Sequence, residues 1–212
     1  SEDFDAFKYF VMVTKNGIIK RTEVSQFANV RRSGLIAIGL KDGDALRWVR
    51  PSTGKDDIML ATLNGQSIRF KEKGVRCMGR SAAGVKALKL KKDDEIIGVD
   101  MIPDGKAAKD EQFLVVTENG FGKRTSLSAY KVQGRGGSGI KSVQVTAKTG
   151  KLASAKIVSQ KVEDEDLIII SKKGQVIRLP IKSVNILGRA TQGVRLMRFK
   201  DSDDKVSNVT FI

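Results

Sequence analysis

Four times along the chain an apolar run is broken by a short polar turn ending in glycine and resumes as a second, more polar run. The copies are FVMVTKNGIIKRT from Phe10, IMLATLNGQSIRF from Ile58, FLVVTENGFGKRT from Phe113 and LIIISKKGQVIRL from Leu167. Short apolar runs bounded by turn signals predict strands, so each copy predicts a hairpin. The turn glycines are Gly17, Gly65, Gly120 and Gly174, and three of the turns are Asn-Gly. That dipeptide predicts a two-residue type I′ connection with positive φ at both positions.

A second element follows at a nearly constant offset: VRRSGLIAIGL, MGRSAAGVKALKL, QGRGGSGIKSVQV and LGRATQGVRLMRF. Its last glycine is Gly34, Gly84, Gly139 or Gly193, and imperfectly alternating apolar residues after it predict a third strand with one buried face. An acidic or Gly-Asp turn then leads to a fourth strand in three copies; the third copy has AKTGKLASAKIV instead. Between second and third strands, TEVSQF, TSLSAY and PIKSVN allow a crossing connection or a short helical turn. Four short strands repeated about every 50 residues indicate blades rather than a helical solenoid. The expected fold is all-β, a propeller-like array of four-stranded blades. A single domain over 1–212 is expected, with repeats near 1–56, 57–111, 112–165 and 166–212.

Charge adds a partner class to this picture. The chain has 39 basic and 24 acidic residues, a net charge of +15, and an excess of this size favours polyanions, nucleic acid first. Residues 119–212 carry net +11 against +4 for residues 1–118, and the acids cluster in loops flanking the fourth strand. Histidine is absent, which removes the commonest general base, and Cys77 stands alone, which excludes an internal disulfide. Aromatic residues make up 6% of the chain, too few for binding single strands by base stacking. No apolar run approaches a membrane span and SEDFDAFKYF is too acidic to open a secretory signal, so no membrane partner and a cytoplasmic setting are expected.

Within QGRGGSG, the residues Gly134, Gly136 and Gly139 have the G-x-G-x-x-G spacing of a dinucleotide-binding turn. Aligned with its siblings, the loop shares only G-R-x-x-x-G: Gly79-Arg80, Gly134-Arg135 and Gly188-Arg189 each precede a final glycine four residues after the Arg. Gly136 is particular to the third copy, and IKSVQV after it predicts a strand where a phosphate-binding helix is needed. No cofactor site is therefore expected. The eight recurring glycines, Gly17, Gly34, Gly65, Gly84, Gly120, Gly139, Gly174 and Gly193, are candidates for positive φ or close packing. Arg21, Arg69, Arg124 and Arg178 recur four residues after each turn glycine, which suggests a basic stripe. Candidate phosphate contacts are these four with Lys20, Arg31, Arg32, Arg80, Lys123, Lys131, Gln133, Arg135, Lys141, Arg189 and Arg195. For the loop arginines, bonding to carbonyls of a neighbouring blade is an equal alternative.

The stretches TENGFGKRTSLSAYKVQGRGGSGIKSV and SKKGQVIRLPIKSVNILGRATQGVRLMRF resemble the last repeats of the C-terminal domain found in the A subunit of bacterial DNA gyrase. RRSGLIAIGLKDGDAL and VRCMGRSAAGVKALKLKKDDEIIGV resemble the repeats before them, so the resemblance spans essentially the whole chain. It implies a β-pinwheel, in which neighbouring blades exchange strands, and a basic rim that wraps double-stranded DNA in support of negative supercoiling. It also implies protein partners: the N-terminal part of the gyrase A subunit, and the gyrase B subunit, in an A2B2 holoenzyme. ATP, magnesium and catalysis would belong to that holoenzyme, outside this domain. The family's box, Gln-Arg-Arg-Gly-Gly-Lys-Gly, is met only by Gln133 to Gly139, with Gly134 and Ser138 replacing an Arg and the Lys. By repeat order this run belongs to a later blade, so the resemblance implies an array lacking the first two of six blades. The related C-terminal domain of the topoisomerase IV A subunit, a basic adaptor for an acidic protein, and an enzyme with a site in a propeller channel remain alternatives.

Overall fold

Each apolar run becomes the first strand of a hairpin whose turn is organised by a hydroxyl. The computed structural model describes residues 6–30, 32–104, 111–159 and 165–212. In the four turns the glycine N–H donates to the carbonyl of Thr14, Thr62, Thr117 or Ser171, at 2.9–3.1 Å. The next residue's N–H donates to the hydroxyl of that same Thr or Ser, at 3.0–3.3 Å. This differs from the type I′ expectation. Asp93 is the one non-glycine with positive φ among the described residues, so the turn asparagines stay at negative φ and the glycine alone takes the left-handed conformation. The three-residue reach of the Thr or Ser carbonyl makes a type I turn followed by a left-handed glycine, the longer of the common hairpin connections.

In chain order the strands are β1 (Tyr9–Thr14), β2 (Ile18–Glu23), β3 (Leu46–Ser52), β4 (Asp57–Thr62), β5 (Gln66–Lys71), β6 (Val85–Lys86), β7 (Ile96–Ile102) and β8 (Glu111–Thr117). They continue as β9 (Phe121–Ser126), β10 (Val132–Gln133), β11 (Ile140–Lys141), β12 (Leu152–Ser159), β13 (Asp166–Ser171), β14 (Val176–Pro180), β15 (Val194–Arg195) and β16 (Val206–Phe211). Sheet orders are β3-β1-β2-β6, β10-β5-β4-β7 with β11 also on β5, β12-β8-β9-β15, and β14-β13-β16. Short 3-10 turns, such as Val24–Phe27 and Leu127–Ala129, occupy the connections left open by the sequence.

The outer strand of three sheets comes from the following repeat, which is the strand exchange of a pinwheel. β6 pairs with β2, β11 with β5 and β15 with β9, always in one register. The residue after the turn glycine, Ile18, Gln66 or Phe121, faces Lys86, Lys141 or Arg195. The amide one residue further on, Ala87, Ser142 or Leu196, donates to the carbonyl of Gly17, Gly65 or Gly120, each at 2.8 Å. The predicted third strand is thus only two residues long and completes its predecessor's sheet. The alternation after the glycine is imperfect because Ala87, Leu88 and Val143 turn inward directly after this brief pairing.

Gly84 and Gly193 show why glycine ends the loop. Both have positive φ, 101° and 84°, and a Cβ would lie 2.7 Å from the Ile19 carbonyl oxygen or 2.6 Å from that of Gly122. The other six recurring glycines also lie at positive φ.

The chain divides into two compact units, one of Ser1–Leu60, Ile68–Gly105 and Val132–Gly139, the other of Ala61–Ser67, Lys106–Lys131 and Ile140–Ile212. The first is filled by Val11, Val13, Ile58, Leu60, Phe70 and Ile96 among others. The second is filled by Leu114, Val116, Leu167, Ile169 and Met197. Full burial of such side chains contributes about 1.5–3 kcal/mol each. No helix of the described residues is long and apolar enough to cross a membrane.

Candidate nucleic-acid interface

A positive side chain can meet a phosphate only if its donors are not already spent inside the protein, and this criterion divides the fifteen candidates. Lys20 and Lys123 are buried at 0% exposure, three residues after their turn glycines. The Lys20 Nζ donates to the carbonyls of Gly79, Arg80 and Ala82 at 3.0, 2.5 and 3.1 Å. The Lys123 Nζ donates to the carbonyls of Gly188 and Arg189, both at 2.5 Å, and to the Thr191 hydroxyl at 3.0 Å. All three ammonium hydrogens are used in each case. The structure therefore corrects both assignments: these lysines hold the next repeat's G-R loop and present nothing to solvent. Burial pushes the Lys20 pKa below its ordinary value, and burial together with the nearby Arg189 charge pushes Lys123 down to about 8.

The four hairpin arginines are framework residues as well. Each lies diagonally across its hairpin from the residue twelve positions earlier, a spacing at which cross-strand side chains touch. Arg21 sits over the Tyr9 ring, 4.6 Å from its centroid, and pairs with buried Glu72 at 3.3 Å. Arg69 grips Asp57 through Nε and Nη2 at 2.9 and 2.7 Å. Arg124 donates to Gln112 at 3.0 Å and to the carbonyls of Val184 and Lys182 at 2.8 and 3.0 Å. Arg178 pairs with Asp166 at 2.5 Å. The recurring arginine thus serves the hairpin, and the inference of a stripe from its repetition gives way.

Two loop arginines follow the carbonyl-bonding alternative. Arg135 donates from Nε to the Gly74 carbonyl at 3.0 Å and from Nη1 to the Lys86 carbonyl. Arg189 donates to the Lys141 carbonyl at 3.0 Å. Each thereby braces the two-residue strand of the preceding repeat. Arg80 is half-buried and lines an open polar groove with Ser25, Gln26, Asn29 and Ser81. Gln133 is half-buried within β10, opposite Phe70. Arg31 lies outside the described residues.

Arg32, Lys131, Lys141 and Arg195 remain exposed, as does Arg178 on its ion pair with Asp166. Lys141 and Arg195 share a structural position, two residues after the loop-ending glycine, and Lys86 has the same position in the second repeat. All three stay exposed while their neighbours Val85, Ile140 and Val194 turn partly inward. Lys86 escapes sequence reasoning because it stands outside the G-R motif, yet aligning the copies on their final glycine reveals a basic residue at this offset three times. Exposed Lys89 and Arg198 repeat the pattern three residues further on. The chemistry available is a set of exposed cations on two-residue strands, those of Lys86 and Lys141 braced by the next repeat's arginine and Arg195 lying over the Phe121 ring, 4.7 Å from its centroid. Among the described residues no three Cys, Asp or Glu side chains gather as metal ligands.

This geometry has close counterparts. The family described as DNA gyrase C-terminal domain, beta-propeller, matches residues 8–53, 56–103, 111–159 and 165–212. A DNA gyrase A subunit from Staphylococcus epidermidis is 41% identical over 193 residues, covering 91% of this chain and 21% of that protein. The chain thus spans about a fifth of the curated relatives it matches. Among solved structures, the C-terminal domain of DNA topoisomerase IV is similar with a TM-score of 0.88 and 25% identity, over 100% of this chain and 64% of the other. A DNA gyrase A C-terminal domain is similar with a TM-score of 0.82 and 26% identity, over 99% of this chain and 67% of the other.

Proposed function

Because this chain belongs to the DNA gyrase C-terminal domain family, we propose that it binds duplex DNA by its backbone and bends it, as a non-catalytic part of a type II topoisomerase. The observation that carries the reading is the recurrence of exposed Lys86, Lys141 and Arg195 at one register of a strand-exchanged fold, in a chain of net charge +15. Cations at one register address a feature that is itself periodic and independent of base sequence, which the phosphate backbone provides. Bracing matters because a cation on a fixed strand loses little freedom on binding. Bending 20–30 base pairs by 40–90° costs roughly 1–6 kcal/mol, so several such cations must act together.

In this reading the gyrase B subunit, with the remainder of the gyrase A subunit, supplies strand passage, and ATP and magnesium are handled there. The higher TM-score to the topoisomerase IV domain favours a second reading, in which the chain serves crossing selection rather than wrapping. Both readings put the protein in the cytoplasm with the chromosome.

Duplex affinity measured against salt tests the shared claim. Replacing Lys86, Lys141 and Arg195 by Gln is expected to flatten the slope of log K against log salt by about 0.9 for each phosphate no longer neutralised, with the melting temperature held. An unchanged slope would remove this register from the interface. Relaxing closed plasmid in the presence of the protein separates the two readings, since wrapping shifts the linking-number distribution and crossing selection leaves it in place.

A further inference from the structure

The third hairpin differs from its siblings in what lies against the cation of its cover strand. Directly across the exchanged pair stand Ile18 and Lys86 in the first junction, Gln66 and Lys141 in the second, and Phe121 and Arg195 in the third. Only the third pair joins a cation to an aromatic ring, and only there is the cation an arginine. The Arg195 guanidinium lies 4.7 Å from the Phe121 centroid, and the Lys148 ammonium lies 5.6 Å from the same centroid. The ring is buried, at 4% exposure, while both cations are exposed and neither head group has a hydrogen bond or ion pair among the described residues.

The turn that carries Lys148 sharpens the contrast. Before the fourth strand, the first, second and fourth copies place Asp42 and Asp44, Asp93 to Glu95, and Asp201, Asp203 and Asp204. The third copy has residues 146–150 there, with no acid. Thr149, buried at 0% exposure, ties this turn down: its hydroxyl donates to the Gln144 carbonyl at 3.1 Å and accepts from the Thr146 amide at 2.9 Å. Asn119 adds two bonds from its side-chain amide, to the Ala147 and Lys148 carbonyls, both at 3.1 Å. Glu118, the one acid of the hairpin turn, faces the Lys205 ammonium at 3.7 Å and accepts from the Lys151 amide at 3.1 Å. Lys148 thus stands on a fixed backbone with its charge uncompensated.

We propose that Phe121, Arg195 and Lys148 form the site at which a phosphodiester of duplex DNA is held most tightly, an assignment that rests on the duplex reading above. Arg195 takes the phosphate, Lys148 supplies a second charge to it, and Phe121 is a positioning residue. Contact with a ring consumes none of the five guanidinium N–H donors, so the fork that matches two phosphate oxygens stays available. The arginine side chain is already ordered, so binding costs it less rotamer freedom than it costs Lys86 or Lys141. Two cations beside one ring also repel each other in the free protein, and an anion shared between them relieves that repulsion. Lys86, by contrast, shares a small cleft with Asp44, whose charge opposes the same anion.

Duplex affinity of single variants at fixed salt tests the assignment. Arg195→Gln is expected to weaken binding about tenfold and Lys86→Gln or Lys141→Gln about threefold each, since only the first removes a charge-assisted fork. Arg195→Lys keeps the charge at an exposed position and should lose about threefold with the salt slope unchanged. Phe121→Leu should lose about three- to fivefold in the parent and nothing further in an Arg195→Gln, Lys148→Gln background, whereas a ring that merely packs would cost the same in both. Phe121→Tyr, which keeps a ring, should hold the parent affinity. Equal losses for the three Gln variants, an undiminished Arg195→Lys, or equal losses for Phe121→Leu in both backgrounds would overturn the site and leave duplex binding standing. A parent chain with no salt-dependent duplex affinity would overturn both the site and the reading beneath it.

Discussion

The junction between the first and second repeats and the junction between the second and third share a register and differ in what fills them. In the first, Lys20 binds three oxygens of the loop Gly79–Gly84. In the second, the equivalent residue is Ile68, whose Cδ1 packs 3.8 Å from where a Gly137 side chain would begin. There the loop Gly134–Gly139 adds a main-chain bond of its own, the Gly136 amide donating to the Ala87 carbonyl at 2.7 Å, while the Gly137 carbonyl accepts from the Lys89 amide at 2.8 Å as the Ala82 and Thr191 carbonyls accept from Gly39 and Gln144 in the other two junctions. Gly136 takes φ +87°, a conformation its counterparts Ser81 and Ala190 do not share. The junction between the third and fourth repeats returns to the lysine solution with Lys123. Carbonyls that turn inward need a buried donor, and a loop that turns its carbonyls elsewhere needs glycine instead. The difference between GRGGSG and its siblings is the imprint of that choice.

The largest test of this comparison converts one solution into the other. Lys123→Ile should cost about 3 kcal/mol in urea unfolding, because the Gly188 and Arg189 carbonyls and the Thr191 hydroxyl lose their shared donor. Adding Ala190→Gly and Thr191→Gly should recover about 1 kcal/mol if glycine is what the apolar solution requires; no recovery would break the comparison. The reverse change, Ile68→Lys, should cost about 2 kcal/mol, since the ammonium enters a loop with no convergent carbonyls. Gly136→Ala meets open space, its nearest neighbour being the Lys86 carbonyl oxygen at 3.9 Å, so the conformation alone sets a cost of about 1 kcal/mol. The smallest effect is with pH. Lys123 titrates near 8 when folded and near its ordinary 10.5 when unfolded. The unfolded chain therefore binds more protons between these values, and stability rises with pH across that window. Thermal melts from pH 7 to 10 should show this rise in the parent and not in Lys123→Met.

Much of the fold is legible in the sequence because hairpins write themselves locally. The four turn glycines, the apolar first strands and the fourth strands are all short-range patterns. The role of Thr14, Thr62, Thr117 and Ser171 is equally local, a hydroxyl residue three before each turn glycine, and can be read from the same alignment. The exchanged strands are less legible, since two residues of pairing leave almost no periodicity and nothing local names the partner. The candidate interface is least legible. A lysine reads as solvated wherever it stands, and only the alternation of Lys20, Ile68, Lys123 and Ile177 at one position signals that the site is internal. Arg21, Arg69, Arg124 and Arg178 mislead for a related reason: repetition of a charge marks a shared role, and here that role is a partner twelve residues back on the neighbouring strand.

The exchange of strands also places a clock in biosynthesis. Ile18 of the first hairpin is covered only when Val85 and Lys86 have been made. At ~5–20 residues per second, that leaves its edge uncovered for several seconds after it emerges from the ribosome. The second and third hairpins repeat the wait for their own cover strands, so the moment of greatest exposure moves along the polypeptide with synthesis.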